Sequence, residues 1–298
     1  MNRRTFISAS AALAALAAFG IPAFGKQSGW RIALATHSYH ELNLRRLLPR
    51  VVDLGVDRIE LNDNHVSLLA SPPDLRVIRD GLERSGLKAI GSYTGRFSRD
   101  PAHNRRIFEV ARELDFQYVD GYPPPELVPD LVALARDHGI TLALLNTAGE
   151  KPYGSPDAIE PLLDRHPDLA TVVDIGHYAR AGHDPGDVVR RFGERIVAIH
   201  AKDMTTTTGP ESADPYTVIG TGVLDWSGLV SVLDAIGYSG FVTLSYTGNF
   251  WNYLEREPRI RASLENLRAL KAGRPLPHDR PPEPPSGCQS QTDKQEEP

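Results

Sequence analysis

The sequence predicts an α/β fold, a single (β/α)8 TIM barrel domain, on three observations. Eight short apolar runs recur along the chain, mostly at intervals of about 25 to 30 residues, the spacing of β/α units. An amphipathic segment follows almost every run. No glycine-rich phosphate turn follows the first run, where an open doubly wound sheet would carry one.

The elements follow in order. WRIALATHSY (30–39) is the first strand. In LRRLLPRVVDLG, Leu44, Leu47, Leu48, Val51 and Val52 share one helix face, with Pro49 expected to kink it. VDRIELNDNH (56–65) sets Glu60 between Ile59 and Leu61, so a carboxylate faces the barrel interior and needs a partner, either Arg58 or Lys202. PPDLRVIRDGLERSG starts on proline and stops on Gly86. LKAIGSYTGR (87–96) precedes the helix NRRIFEVARELD, and FQYVDGYPPP (116–125) precedes PELVPDLVALARDHG. ITLALLNTAG (140–149) leads to the weaker helical pattern SPDAIEPLLDRHP, and LATVVDIGHY (169–178) to DPGDVVRRFGE. RIVAIHAKDM (195–204) is followed by a long loop, TTTTGPESADPYTVIG, which is placed as a lid would be. DWSGLVSVLDAIG, with Trp226 as a packing residue at its start, and GFVTLSYTGNF (240–250) complete the series.

Two segments fall outside the barrel, which is expected to span residues 26–272. Residues 1–25 read as a twin-arginine-like export signal: Arg3-Arg4, an Ala-rich apolar stretch, and Ala23-Phe24-Gly25 as a small-residue cleavage site. The alternative is an uncleaved anchor, for which the apolar run is short. The expected location is periplasmic or secreted. Residues 273–298 form a polar, Pro-rich tail expected to be disordered. The single cysteine, Cys288, lies there, so no internal disulfide can form and the core alone must hold the fold. A net charge of −5 without a basic stretch argues against nucleic acid or anionic membrane as a partner.

Barrel folds carry their chemistry at the C-terminal ends of the strands. The polar residues there are His37, Glu60 with His65, Tyr93 with Arg96, Asp120, Asn146, Asp174 with His177, His200 with Lys202, and Ser245. Alternation puts His200 and Lys202 on one face, Glu60 with Asn62 on another, Thr243 with Ser245, and Leu142 and Leu144 with Asn146. His177 is the candidate base, and Lys202 the candidate stabiliser of an enolate oxygen. Lys202 and Asp203 could equally form a structural salt bridge across the mouth. His37, Glu60, Arg96, Asn146 and Ser245 are candidate substrate contacts. Trp251 and Tyr246 could stack on a sugar ring.

The strand ends VDIGH and IHAKD, with RIELN and VIGTGVLDWSGLVSVLDAIGYSGFVTLSY, resemble the xylose isomerase-like barrel superfamily of sugar isomerases, sugar epimerases, inosose dehydratases and the endonuclease IV branch. The resemblance runs over roughly residues 30 to 270. It implies a small carbohydrate ligand and a divalent metal, Mn, Mg, Co or Zn, held by Glu, Asp, His and Glu on strands five to eight. Asp174 and His200 match two of these ligands, while the glutamate positions fall on Asn146 and Ser245. The set then brings one negative charge instead of three, so metal binding should be weak or absent. An amide does not titrate and an unassisted hydroxyl is not a base, so the two-glutamate epimerase mechanism is not expected. Three readings stay open: a sugar or keto-sugar enzyme working by proton transfer, a non-catalytic sugar-binding protein, and a keto-sugar lyase or hydratase whose metal is re-sited on Glu150 or His65.

Overall fold

Each strand alternates between two apolar environments, and this alternation defines the architecture. The computed structural model describes residues 29–93, 97–148, 152–209, 215–246 and 253–282. The proposed export signal, Arg96, Glu150 and Trp251 lie outside the described residues.

The strands are β1 (Arg31–Ala35), β2 (Arg58–Asn62), β3 (Lys88–Tyr93), β4 (Tyr118–Gly121), β5 (Thr141–Leu145), β6 (Ala170–Asp174), β7 (Ile196–Ala201) and β8 (Phe241–Leu244). They pair in parallel, and β8 closes on β1 to complete the barrel. One set of side chains fills the interior, among them Ala33, Ile90, Tyr118, Ala143, Leu145, Val172, Ala198 and Phe241. The other set packs outward beneath the helices, with Leu142, Leu144, Ile199 and Leu244 among them. Burying both faces explains why these strands read as nearly continuous apolar runs.

The expected helices form at α1 (Leu44–Asp53), α2 (Pro72–Ser85), α3 (Pro101–Glu113), α4 (Val128–Asp137) and α5 (Pro156–Arg165). Asn43 caps α1 by accepting from the Arg46 amide at 3.1 Å, and the helix runs on through Pro49. It buries Leu47, Leu48 and Val51, whereas Val52, expected on the same face, is 45 % exposed. A short helix missing from the sequence reading, α6 (Ile175–Arg180), follows β6 directly and precedes α7 (Pro185–Phe192). Asp203–Met204, just before the long loop, pairs antiparallel with Tyr216–Thr217 within it. Trp226 opens α8 (Trp226–Ala235) and is buried, as expected.

The last helix, α9 (Tyr253–Lys271), was not anticipated. Its buried face includes Arg256, Ser263 and Asn266, which interrupt the apolar stripe that marks a helix in sequence. Arg256 is paired with Glu41. The Asn266 amide bonds to the carbonyls of Ile219 and His278 and accepts from the His278 backbone amide at 3.1 Å. Within the tail expected to be disordered, the described segment around His278 is therefore seated against α9. Among the described residues no helix is long and apolar enough to cross a membrane.

Candidate functional site

The C-terminal ends of the strands enclose a cavity of about 240 Å³. One wall carries Asp174, His177, His200 and Lys202, and the opposite wall His37, Glu60 and Asn62. Tyr93, Tyr122, Leu145 and Ser245 complete the lining. Most of the predicted strand-end residues thus meet in one mouth. A second cavity of about 500 Å³ opens among Arg31, Arg58, Arg268 and Lys271. It lies at the N-terminal ends of the strands, away from where barrel folds carry chemistry.

Asp174 organises the first wall. Register puts it beside His200, and its side chain caps α6 by accepting from the His177 amide at 3.0 Å. Its Oδ2 lies 2.8 Å from Lys202 Nζ, 3.6 Å from His177 Nε2 and 3.8 Å from His200 Nδ1. Burial alone would raise its pKa. The charges of His177, Lys202 and His200 overcome that cost and hold the carboxyl well below the usual range. Lys202 Nζ also lies 3.5 Å from His177 Nε2. Gly176 keeps this corner tight, because a Cβ there would sit 3.0 Å from the Lys202 side chain.

Glu60 has partners other than those expected. The hydroxyl of Tyr118 donates to its Oε2 at 2.5 Å, and its Oε1 lies 2.8 Å from His200 Nε2. Neither Arg58 nor Lys202 serves; Arg58 pairs with Asp57 at the other end of β2. The Tyr118 ring reaches across β3 only because residue 91 is glycine, where a Cβ would lie 2.6 Å from that ring. Burial disfavours charge on His200, yet Glu60, Asp174 and Asp120 together push its pKa up to about 10. Asp120 is fully buried, and burial with the nearby Glu60 charge pushes its carboxyl well above the ordinary value. His37 is pushed down to about 4, by burial first and then by the charges of Lys202 and neighbouring histidines.

Several sequence expectations need correction. Asn146 does not line the cavity. Its amide nitrogen donates to the Asp174 carbonyl at 3.0 Å and its oxygen accepts from the Asp174 amide at 2.7 Å, which ties β5 to β6. The inward position on β5 is Leu145. His65 is also outside the cavity, with Nε2 at 3.2 Å from the Tyr39 carbonyl oxygen. Asp203 forms no salt bridge with Lys202; its carboxylate accepts from the amides of Met204, Gly220, Gly222 and Leu224 and anchors the loop after β7. Tyr246 is buried, with its amide bonded to the Ser38 hydroxyl, so the aromatic surface of the mouth comes from Tyr93 and Tyr122 instead. Those rings meet edge to face at 5.9 Å. The period-two run Tyr118, Asp120, Tyr122 was the available signal for β4.

These positions also test the divalent metal that the resemblance implies. Of four ligands on β5 to β8, the cavity offers Asp174 and His200, with Leu145 and Ser245 in the other two places. The Asp174 carboxylate is already neutralised by the Lys202 ammonium. This donor set does not fit that metal. A different set, Glu60, Asp120 and His200, lies close enough together to hold a cation.

The family model for the xylose isomerase-like TIM barrel matches residues 48–270. No curated protein sequence matches the chain. Among solved structures, the IOLI protein with a bound zinc atom superposes with a TM-score of 0.67 at 17 % identity, over 82 % of this chain and 98 % of that one. A D-tagatose 3-epimerase-like protein gives 0.64 at 19 %, covering 80 % and 96 %. A sugar phosphate isomerase/epimerase from Parabacteroides distasonis ATCC 8503 gives 0.62 at 15 %, covering 82 % and 96 %.

Proposed function

Since the chain belongs to the xylose isomerase-like TIM barrel family, we propose that it takes a sugar or keto-sugar into the barrel mouth and moves a proton at the carbon beside the carbonyl. The observation that carries this reading is the placement of Lys202 Nζ, 2.8 Å from Asp174 and 3.5 Å from His177, on one wall of the cavity. Sugar isomerase and epimerase neighbours support the substrate class. The cavity, at about 240 Å³, is smaller than the about 300–1,000 Å³ typical of drug-sized ligands and suits a monosaccharide.

In this mechanism the Lys202 ammonium donates to the carbonyl oxygen and stabilises the negative charge that develops there as the adjacent C–H bond breaks. The neutral form of His177 takes the proton, and the imidazolium so formed beside Asp174 returns it, either to the neighbouring carbon or to the same one. Asp174 fixes both partners, one through its carboxylate and one through the cap it makes at the start of α6. The uncharged His37 imidazole and Asn62 address hydroxyl groups. The rings of Tyr93 and Tyr122 face the C–H surface of the sugar. A single base on one wall suits isomerisation or elimination better than two-sided epimerisation. The basic, Ala-rich leader supports an exported enzyme; a periplasmic product beginning at Lys26 is the corresponding expectation.

The test is proton exchange in D2O with EDTA present, followed by NMR over a panel of aldoses, ketoses and keto-sugar acids. At least one member should exchange its α proton, and Lys202→Met and His177→Gln should each slow that exchange by about 100-fold or more. Ligand-induced stabilisation without exchange anywhere in the panel would replace this reading with a sugar-binding protein.

A further inference from the structure

Three side chains at the floor of the mouth take no part in that reaction. Glu60 of β2, Asp120 of β4 and His200 of β7 each bring one donor atom within 4.8 Å of the others. They are 2 %, 0 % and 5 % exposed. Among the described residues, neither carboxyl oxygen of Asp120 bonds to another residue. Buried polar groups in folded proteins are almost always satisfied, so Asp120 calls for a partner from outside the chain. A water would satisfy Asp120 alone. Glu60 and His200 already bond to each other beside that carboxyl, and a cation would take the place of the proton between them while also satisfying Asp120.

We infer that this floor is a binding site for a divalent cation of the zinc class, ligated by Glu60, Asp120 and His200. Two carboxylates balance a doubly charged ion, and an oxygen–nitrogen donor set suits Zn, Co or Mn better than Mg. The groups behind the ligands are those that metal sites use. The Tyr118 hydroxyl fixes Glu60 at 2.5 Å, and the Asp174 carboxylate stands behind His200 Nδ1 at 3.8 Å. Glu60 and His200 line the cavity, which leaves the upper side of the ion open to water or a ligand oxygen. The ion separates His200 Nε2 from Glu60 Oε1, now 2.8 Å apart, to roughly 3.3 Å, the spacing of donors about a tetrahedral zinc. The site lies on the β2–β4 side of His200, whereas Lys202 already holds the β6 side. It stands on these three residues and not on the proton-transfer reading, which is tested without metal.

The folded full chain, stripped with EDTA and titrated with Zn²⁺ against a chromogenic chelator, provides the test. One equivalent should bind at micromolar affinity or tighter. Asp120→Asn, a substitution of nearly equal shape, should weaken binding by about 100-fold or more while circular dichroism stays native. Ser245→Ala should change affinity by less than about threefold, since the site leaves Ser245 out. Anomalous diffraction from zinc-soaked wild-type crystals gives a second readout that needs no variant, with a peak expected between the three donor atoms. Absence of stoichiometric binding, unchanged affinity in Asp120→Asn, or a peak on the Ser245 side of Asp174 would each overturn the inference.

Discussion

Adding two glutamates to the mouth should build a metal site, but only if the strand-five glutamate replaces Leu145. Leu145 and Ser245 are 4 % and 5 % exposed and line the same cavity as Asp174 and His200. Leu145→Glu with Ser245→Glu therefore assembles three carboxylates and one imidazole around a single point. Without metal this variant should be unstable. It forfeits about 2 kcal/mol of leucine burial, and each unpaired carboxylate in the pocket costs several kcal/mol more. With Mn²⁺ at about 1,000 times its dissociation constant, roughly 4 kcal/mol should return. Asn146→Glu with Ser245→Glu should behave differently. It breaks the two hydrogen bonds that hold the Asp174 backbone and leaves a buried N–H and C=O unpaired, at about 1–3 kcal/mol each. The new carboxylate faces the helices and gains no ion. Thermal unfolding and calorimetric Mn²⁺ titration of both variants, each carrying Asp120→Asn so that the Glu60–Asp120–His200 floor does not contribute, make the comparison. Metal affinity in the Asn146 variant and none in the Leu145 variant would show that the strand-five face is assigned wrongly.

Two further outcomes follow from the same structure. The pKa of His37 falls from 6.5 to about 4 on folding, so below pH 6.5 the unfolded chain binds a proton that the folded one refuses. Stability should drop as pH falls from about 6.5 to 4, by up to about 3 kcal/mol, and urea midpoints of His37→Asn should vary less across that window. Asp203→Asn halves the acceptor capacity of a carboxylate that serves four backbone amides. It should lower stability by about 2–4 kcal/mol, read as a shift in urea midpoint, with faster amide exchange at Gly220 and Gly222.

Strand-end pairs were legible where polarity alternates. Glu60 and Asn62, or His200 and Lys202, mark their inward face because an apolar residue separates them, and both pairs line the cavity. ITLALLN carries no such mark. Both faces of β5 are buried, so Leu145 and Asn146 were equally eligible, and only the packed barrel separates them. The partners of Glu60 lie 58 and 140 residues away, on strands that meet it across the barrel interior, and no local spacing encodes that. Asp174 read as a strand-end site residue and is also a helix cap, because α6 begins on it while its second oxygen holds Lys202.

The central claim is that a buried Asp174–Lys202 pair organises the mouth, and a double-mutant cycle measures it most directly. Asp174→Asn, Lys202→Met and the double variant, unfolded in urea with EDTA present, should show a coupling of about 2–3 kcal/mol, because each single change strands a buried charge. Single effects that sum to the double within about 0.5 kcal/mol would mean the two groups do not hold one another, and the proposed wall would lose its foundation.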